Sequence, residues 1–207
     1  MERKEISVVD IFQSVKDGQI GIDKVWHEYG DAIKQFHARD TNESLALLNL
    51  YIRYCGHLHQ SGYWKDEGLH LDLAHQVLIS LQGFLSHEQY EKRSETILSK
   101  KAYVSMKLGD YAMAIKILKE LLYKYPSKDS YKNMYINALR SKFNKFLRPM
   151  TIILCLICLA WIVLRYLLDG IVFPYWILVV IWGVWMLMYV VVLLIPTYVK
   201  RFAIKAP

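Results

Sequence analysis

Cysteine is scarce in this chain of 207 residues, which has 3. Cys55 stands alone in the polar part of the sequence, and Cys155 and Cys158 fall inside a long apolar run, where they read as small packing residues set too deep for easy acylation. No disulfide framework is available, and a reducing compartment is the simpler expectation. Strand signals are missing too: no stretch alternates apolar and polar residues between turn signals, which leaves an all-α fold. There is no Gly-rich phosphate loop, no Gly-flanked nucleophilic Ser and no recognisable Cys–His pair, so an enzyme is not expected, and neither is a cofactor. The opening Met1-Glu2-Arg3-Lys4-Glu5 is charged and precedes no apolar stretch of signal-peptide length, so the N-terminal portion is expected to stay in the cytosol.

What the chain does have is two long apolar runs, 150–168 and 173–195, parted by Asp169-Gly170. Each reaches the roughly 18 to 20 residues that a helix needs to cross a hydrocarbon core of about 30 Å. Backbone polar groups in lipid must be satisfied internally, so two such runs imply a membrane-spanning helical hairpin. Charge supports an orientation. Residues 1–90 hold 8 basic and 13 acidic side chains, whereas 91–149 hold 14 and 5. Lys142, Lys145 and Arg148 precede the first run, Lys200, Arg201 and Lys205 follow the second, and the connecting loop has no basic residue. That asymmetry places both termini in the cytoplasm, in a plasma membrane or, for a bacterium, an inner membrane. The expected organisation is a cytoplasmic helical domain over 1–148, a transmembrane hairpin over 149–199 and a basic cytoplasmic tail over 200–207. The same basic balance lacks a groove-reading motif or a Gly-rich aromatic platform, which points away from nucleic acid.

Three- and four-residue apolar spacing predicts helices over about 8–15, 22–38, 42–59, 65–82, 88–107 and 130–147. Thr41 or Asn42 is the expected cap of the third, Gly62 and Gly83 mark ends, and Ser86 with Gln89 forms a capping-box pattern. The fourth helix is expected to turn Leu69, Leu73, Val77, Leu78 and Leu81 inward, and Pro149 is expected to interrupt the last helix before the first span.

The segment Lys107-Leu108-Gly109-Asp110-Tyr111-Ala112-Met113-Ala114-Ile115, continuing through Leu118 and Leu121 to Tyr125-Pro126, resembles a tetratricopeptide repeat. The resemblance implies that Ala102 and Leu98 pack in the first helix, Gly109 makes the turn and Asp110 caps the second helix. Tyr111, Ala114, Leu118 and Leu121 then pack along that helix, and Pro126 closes the unit. It covers about 34 residues, and Lys101 and Ser105 depart from the pattern. One repeat cannot bury its own apolar face, so overlapping hairpins over 22–59 and 42–83 are expected to stack on it.

Other constellations are weaker. His57, His59, His70 and His75 lie on successive helices, but two- and five-residue spacings point the members of each pair apart, against a metal site. Arg53 and His59 loosely resemble the ribonuclease motif of HEPN proteins, although Tyr54 stands where that family usually has a polar residue. Arg165, with Asp169 four residues on, reads as an anchoring pair or, more sharply, a pore-lining residue. Trp161, Trp182 and Trp185 lie deep in the runs and Gly183 can admit a close neighbour, so they are candidates for helix packing or homo-oligomer contacts. The reading of best fit is a membrane-anchored scaffold holding a protein or peptide partner. The alternative is an oligomeric two-span effector or pore of the kind bacterial antiviral systems use, and a HEPN-like ribonuclease comes last.

Overall fold

The computed structural model describes residues 7–167 together with residues 176, 179, 180, 182, 183, 185–187, 189, 190 and 194. Among them all regular structure is α-helical and no strand forms. The chain divides into two compact units, Met1–Ile117 and Leu118–Pro207.

The first unit holds α1 (Val8–Lys16), α2 (Ile22–Lys34), α3 (Thr41–Ser61), α4 (Trp64–Ser80), α5 (His87–Lys107) and the start of α6 (Tyr111–Lys124). Side-chain caps set several helix starts. Ser7 accepts from Asp10 N at 3.2 Å, and Ser86 from Gln89 N at 3.3 Å. The cap of α3 is Asp40, not Thr41 or Asn42: its carboxylate accepts from Glu43 N at 2.8 Å, while Glu43 reaches back to Arg39 N at 2.7 Å. A carboxylate at that position also complements the positive end of the helix dipole. Gly62 and Gly109 both adopt φ 76°, the left-handed region that a residue with a Cβ enters only at a cost. Gly83 does not end α4, which closes two residues earlier on Leu81 in right-handed geometry. Helix α2 stops at Lys34, short of 38, and Phe36 turns in from the following loop to pack on the core.

Helix α3 is the centre of this unit, touching α1, α2 and α4, and α4 in turn meets α5. Leu48, Leu50 and Cys55 of α3, Leu71, Ala74 and Leu78 of α4 and Ile97 of α5 are fully buried. Each buried leucine or isoleucine contributes about 1.5–3 kcal/mol of apolar burial. Of the expected inward stripe of α4, Leu78 and Leu81 are buried and Leu73 and Val77 pack against the core, but Leu69 is 56% exposed, and Glu67, His70, Leu71 and Ala74 are buried on the same helix. Helices two apart in the chain meet at a constant offset. Trp26 bonds to His70 and Arg93 to Asn49, each pair 44 residues apart. The His59 and Tyr103 rings keep the same offset, so α3 and α5 run parallel. The helices are stacked, and this offset is longer than the 34 residues of a tetratricopeptide unit.

The second unit is dominated by α7 (Asp129–Leu167, 39 residues), which buries Tyr131, Tyr135, Ile136, Ala138 and Leu147. It runs unbroken through Pro149, where an interruption was expected. Proline lacks the N–H of one helical bond, a loss that neighbouring groups can absorb in a long apolar helix. By length and composition α7 can cross a membrane, and 6% of its most apolar window is buried, unlike a soluble core helix. The second apolar run lies largely outside the described residues. Those of its residues that are described are helical, and Trp185 Nε1–H donates to Thr151 Oγ1 at 3.1 Å. The Thr151 hydroxyl in turn donates to the Leu147 carbonyl at 3.0 Å.

Candidate functional site

Between α4 and α5, and under the start of α6, lies an open cavity of about 410 Å³. Gly68 lines it from α4, and a Cβ there would meet the Val104 side chain of α5 at Cγ1, 3.4 Å away, an ordinary contact. Three apolar side chains line the groove without being covered: Leu69, Leu108 and Met113 are 56%, 53% and 40% exposed. The rim is charged with both signs, Lys65 and Lys101 facing Asp66, Asp72 and Asp110. Lys101 and Asp72 form an ion pair across the groove. Asp110 also caps α6, accepting from Met113 N at 3.1 Å.

The two departures from the repeat pattern, Lys101 and Ser105, both line this groove.

Behind the groove, α4 carries two buried polar side chains. Glu67 has no exposed surface, and its carboxylate oxygens lie 3.1 and 3.2 Å from His59 Nδ1, whose N–H donates to them. Burial raises the Glu67 carboxyl above the usual carboxylate range, opposed by the His59 hydrogen bond and charge and by Lys100. His70 accepts from the Trp26 indole N–H at Nε2, 3.2 Å, and donates from Nδ1 to the Asp66 carbonyl at 2.7 Å. An indole can only donate, so Nε2 carries no proton and His70 is neutral. Burial lowers its pKa in the same sense. Aromatic rings surround it: Trp26 stacks on Tyr54 at 4.1 Å between centroids, and Tyr54 meets His70 edge-on at 5.0 Å. Gly30 makes room for this indole, since a Cβ there would sit 3.2 Å from Trp26 Cδ1.

These groups do not assemble a nucleophile and a base. The Cys55 thiol, donating to the Glu67 carbonyl, is pushed up to about 12 by burial and by the Glu67 charge, so it stays protonated. Arg53 and His59 are not brought together: Arg53 lies over the Phe12 ring of α1, while His59 pairs with Glu67 on α4. Among the described residues no three His, Cys, Asp or Glu side chains converge as a metal site requires.

Of the residues singled out by the repeat resemblance, Leu98, Ala102, Ala114, Leu118 and Leu121 are buried. Tyr111 is half-buried, and Pro126 is exposed two residues past α6. Lys142, Lys145 and Arg148 are exposed on α7. Trp182 and Gly183 are exposed, and Trp182 packs edge-on against Trp185 with centroids 5.5 Å apart. The side chains of Trp161 and Arg165, and Asp169, Lys200 and Arg201 entirely, lie outside the described residues. Leu69, Leu108 and Met113 went unrecognised as site residues, although Gly68 in mid-helix was a signal for close backbone approach. No protein-family model matches this sequence, and neither a curated protein nor a solved structure matches it.

Proposed function

We propose that the chain is a membrane-anchored, tetratricopeptide-like scaffold that holds a partner protein at the cytoplasmic face by a peptide segment laid in the α4–α5 groove. The observation that carries the reading is the row of uncovered Leu69, Leu108 and Met113 along a charged-rim groove. A groove between two helices suits an amphipathic helix, whose apolar anchors recur at three- and four-residue steps. Lys101 and Asp72 at the rim offer both signs of charge to fix its register.

Anchoring by a two-span hairpin is supported by the Trp185–Thr151 hydrogen bond. Its partners, 34 residues apart, lie equally far on either side of residue 168, beside the Asp169-Gly170 break. An antiparallel pair turning there brings those two side chains level. Both termini then lie on the basic, cytoplasmic side. The role needs no catalytic residue.

The test is photocrosslinking in the native host from a benzophenone amino acid placed at Leu69 or Met113, with Tyr123 as control. The expected result is one cross-linked partner from the groove positions, lost when Leu108→Asp is added and absent from Tyr123. Equal cross-linking from Tyr123, or no change with Leu108→Asp, rejects the groove as the docking site.

A further inference from the structure

The segment of α7 just ahead of its apolar half is neither an ordinary solvated face nor part of the core. Lys142, Lys145 and Arg148 follow one another at three-residue steps, each turning back about 60° on the helix, so they form one stripe. Phe143, Phe146 and Met150 form the adjacent stripe and are 39%, 59% and 42% exposed. Leu147 alone of these turns is buried. Two exposed phenylalanines thus lie side by side with three cations, and the helix runs unbroken from them into its most apolar half.

We propose that residues 142–150 of α7 are a docking surface for an anionic lipid leaflet. The three cations bind phosphate-bearing headgroups, and the Phe143 and Phe146 rings enter the boundary between headgroups and acyl chains. Charge complementarity and continuity with the span select this occupant: basic stems reach outward to phosphate while apolar bodies lie along lipid. The inference rests on α7 entering a bilayer, and adds that the bilayer's charge is recognised rather than only its thickness.

The full chain is reconstituted into bilayers of phosphatidylcholine and phosphatidylglycerol, extracted in mild detergent, and the retained lipid is identified by mass spectrometry. Phosphatidylglycerol is expected to be enriched roughly fivefold over its bulk share, equivalent to about 1 kcal/mol, the scale of one basic residue near an anionic surface. Lys142→Gln/Lys145→Gln/Arg148→Gln should return the ratio to bulk, and Phe143→Ser/Phe146→Ser should lower the total lipid retained. Wild-type retention at the bulk ratio overturns the proposal, as does enrichment that vanishes with Lys200→Gln/Arg201→Gln but survives the triple α7 variant. Helix content by circular dichroism confirms that each variant is folded. Failure of the wild type to float with either neutral or anionic vesicles would instead sink the membrane reading itself.

Discussion

Trp26 of α2 and His70 of α4 are joined by a hydrogen bond of 3.2 Å that only the neutral imidazole can accept. Lys34 on α2 adds a charge that disfavours protonation, the Asp66 carbonyl and carboxylate on α4 favour it, and Tyr51 and Tyr54 of α3 face the ring without charge at neutral pH. The folded-state pKa of His70 is therefore below its ordinary value of 6.5, with burial the largest cause. A group that binds protons more weakly when folded makes the native state less stable as pH falls through the unfolded value. The first unit should lose stability on acidification from neutrality through pH 6.5. His70→Gln should flatten that slope by up to one proton, read from urea midpoints across the pH range. An unchanged slope would show that His70 titrates normally.

Glu67 acts with the opposite sign. Its raised pKa means that its neutral form is favoured by the fold, so its share of stability is present below 4.5 and is lost as pH rises through the raised value. Glu67→Gln keeps the shape and a hydrogen-bonding group while removing the buried charge. Stability at neutral pH should stay within about 1 kcal/mol of wild type or rise, whereas Glu67→Ala should cost about 2 kcal/mol by leaving a void beside His59. Thermal melts of both variants at neutral pH make the comparison.

These two residues also explain how the sequence was misread. Periodicity finds a buried stripe by counting polar residues as outward, so Glu67 and His70 fall outside the predicted inward face of α4 and Leu69 falls within it, while Leu73, Val77, Leu78 and Leu81 do turn to the core. The partners of Glu67 and His70, namely His59 and Trp26, are 8 and 44 residues away, and local spacing does not carry such pairings. The first six helices and the turns at Gly62 and Gly109 are legible because cap and glycine signals are local, whereas the continuity of α7 through Pro149 is not. The cap at Asp40 was missed because three consecutive residues, Asp40, Thr41 and Asn42, are all good caps. The groove was half legible. Lys101 and Ser105, the two residues that depart from the repeat resemblance, do line it, but its apolar wall depends on the rotation of α4, which the buried polar pair obscures.

Glycine substitutions should separate backbone need from simple presence. Gly62→Ala and Gly109→Ala force a Cβ into φ 76° and should each cost about 1 kcal/mol. Gly83→Ala, at a position without positive φ and with open space around the new Cβ, should be neutral or slightly stabilising. Denaturant titration distinguishes them. Equal destabilisation at all three would contradict the turn geometry.

Gly68→Ala sets stability against binding. In mid-helix, replacing Gly by Ala gains about 0.5–1 kcal/mol, and the added Cβ meets Val104 Cγ1 at an ordinary 3.4 Å. The variant should melt higher than wild type while narrowing the groove at its floor. A partner peptide that seats against Gly68 should cross-link less from Leu69, with no loss of folded protein to account for it. Undiminished cross-linking in a stabilised variant places the peptide elsewhere.

The Trp185–Thr151 bond gives the second unit a test of its own. An indole N–H in an apolar setting has few alternatives, and Thr151 supplies an acceptor whose own proton is already directed to Leu147. Thr151→Val preserves shape and removes the acceptor, and Trp185→Phe removes the donor. Hydrogen bonds between membrane helices contribute about 0.6 kcal/mol on average and up to about 1.7, so a double-mutant cycle should give a coupling energy in that range. The cycle is measured by equilibrium unfolding of the full chain in bicelles. Additive effects of the two substitutions mean that the side chains do not meet, and the proposed two-span hairpin loses the bond that supports it.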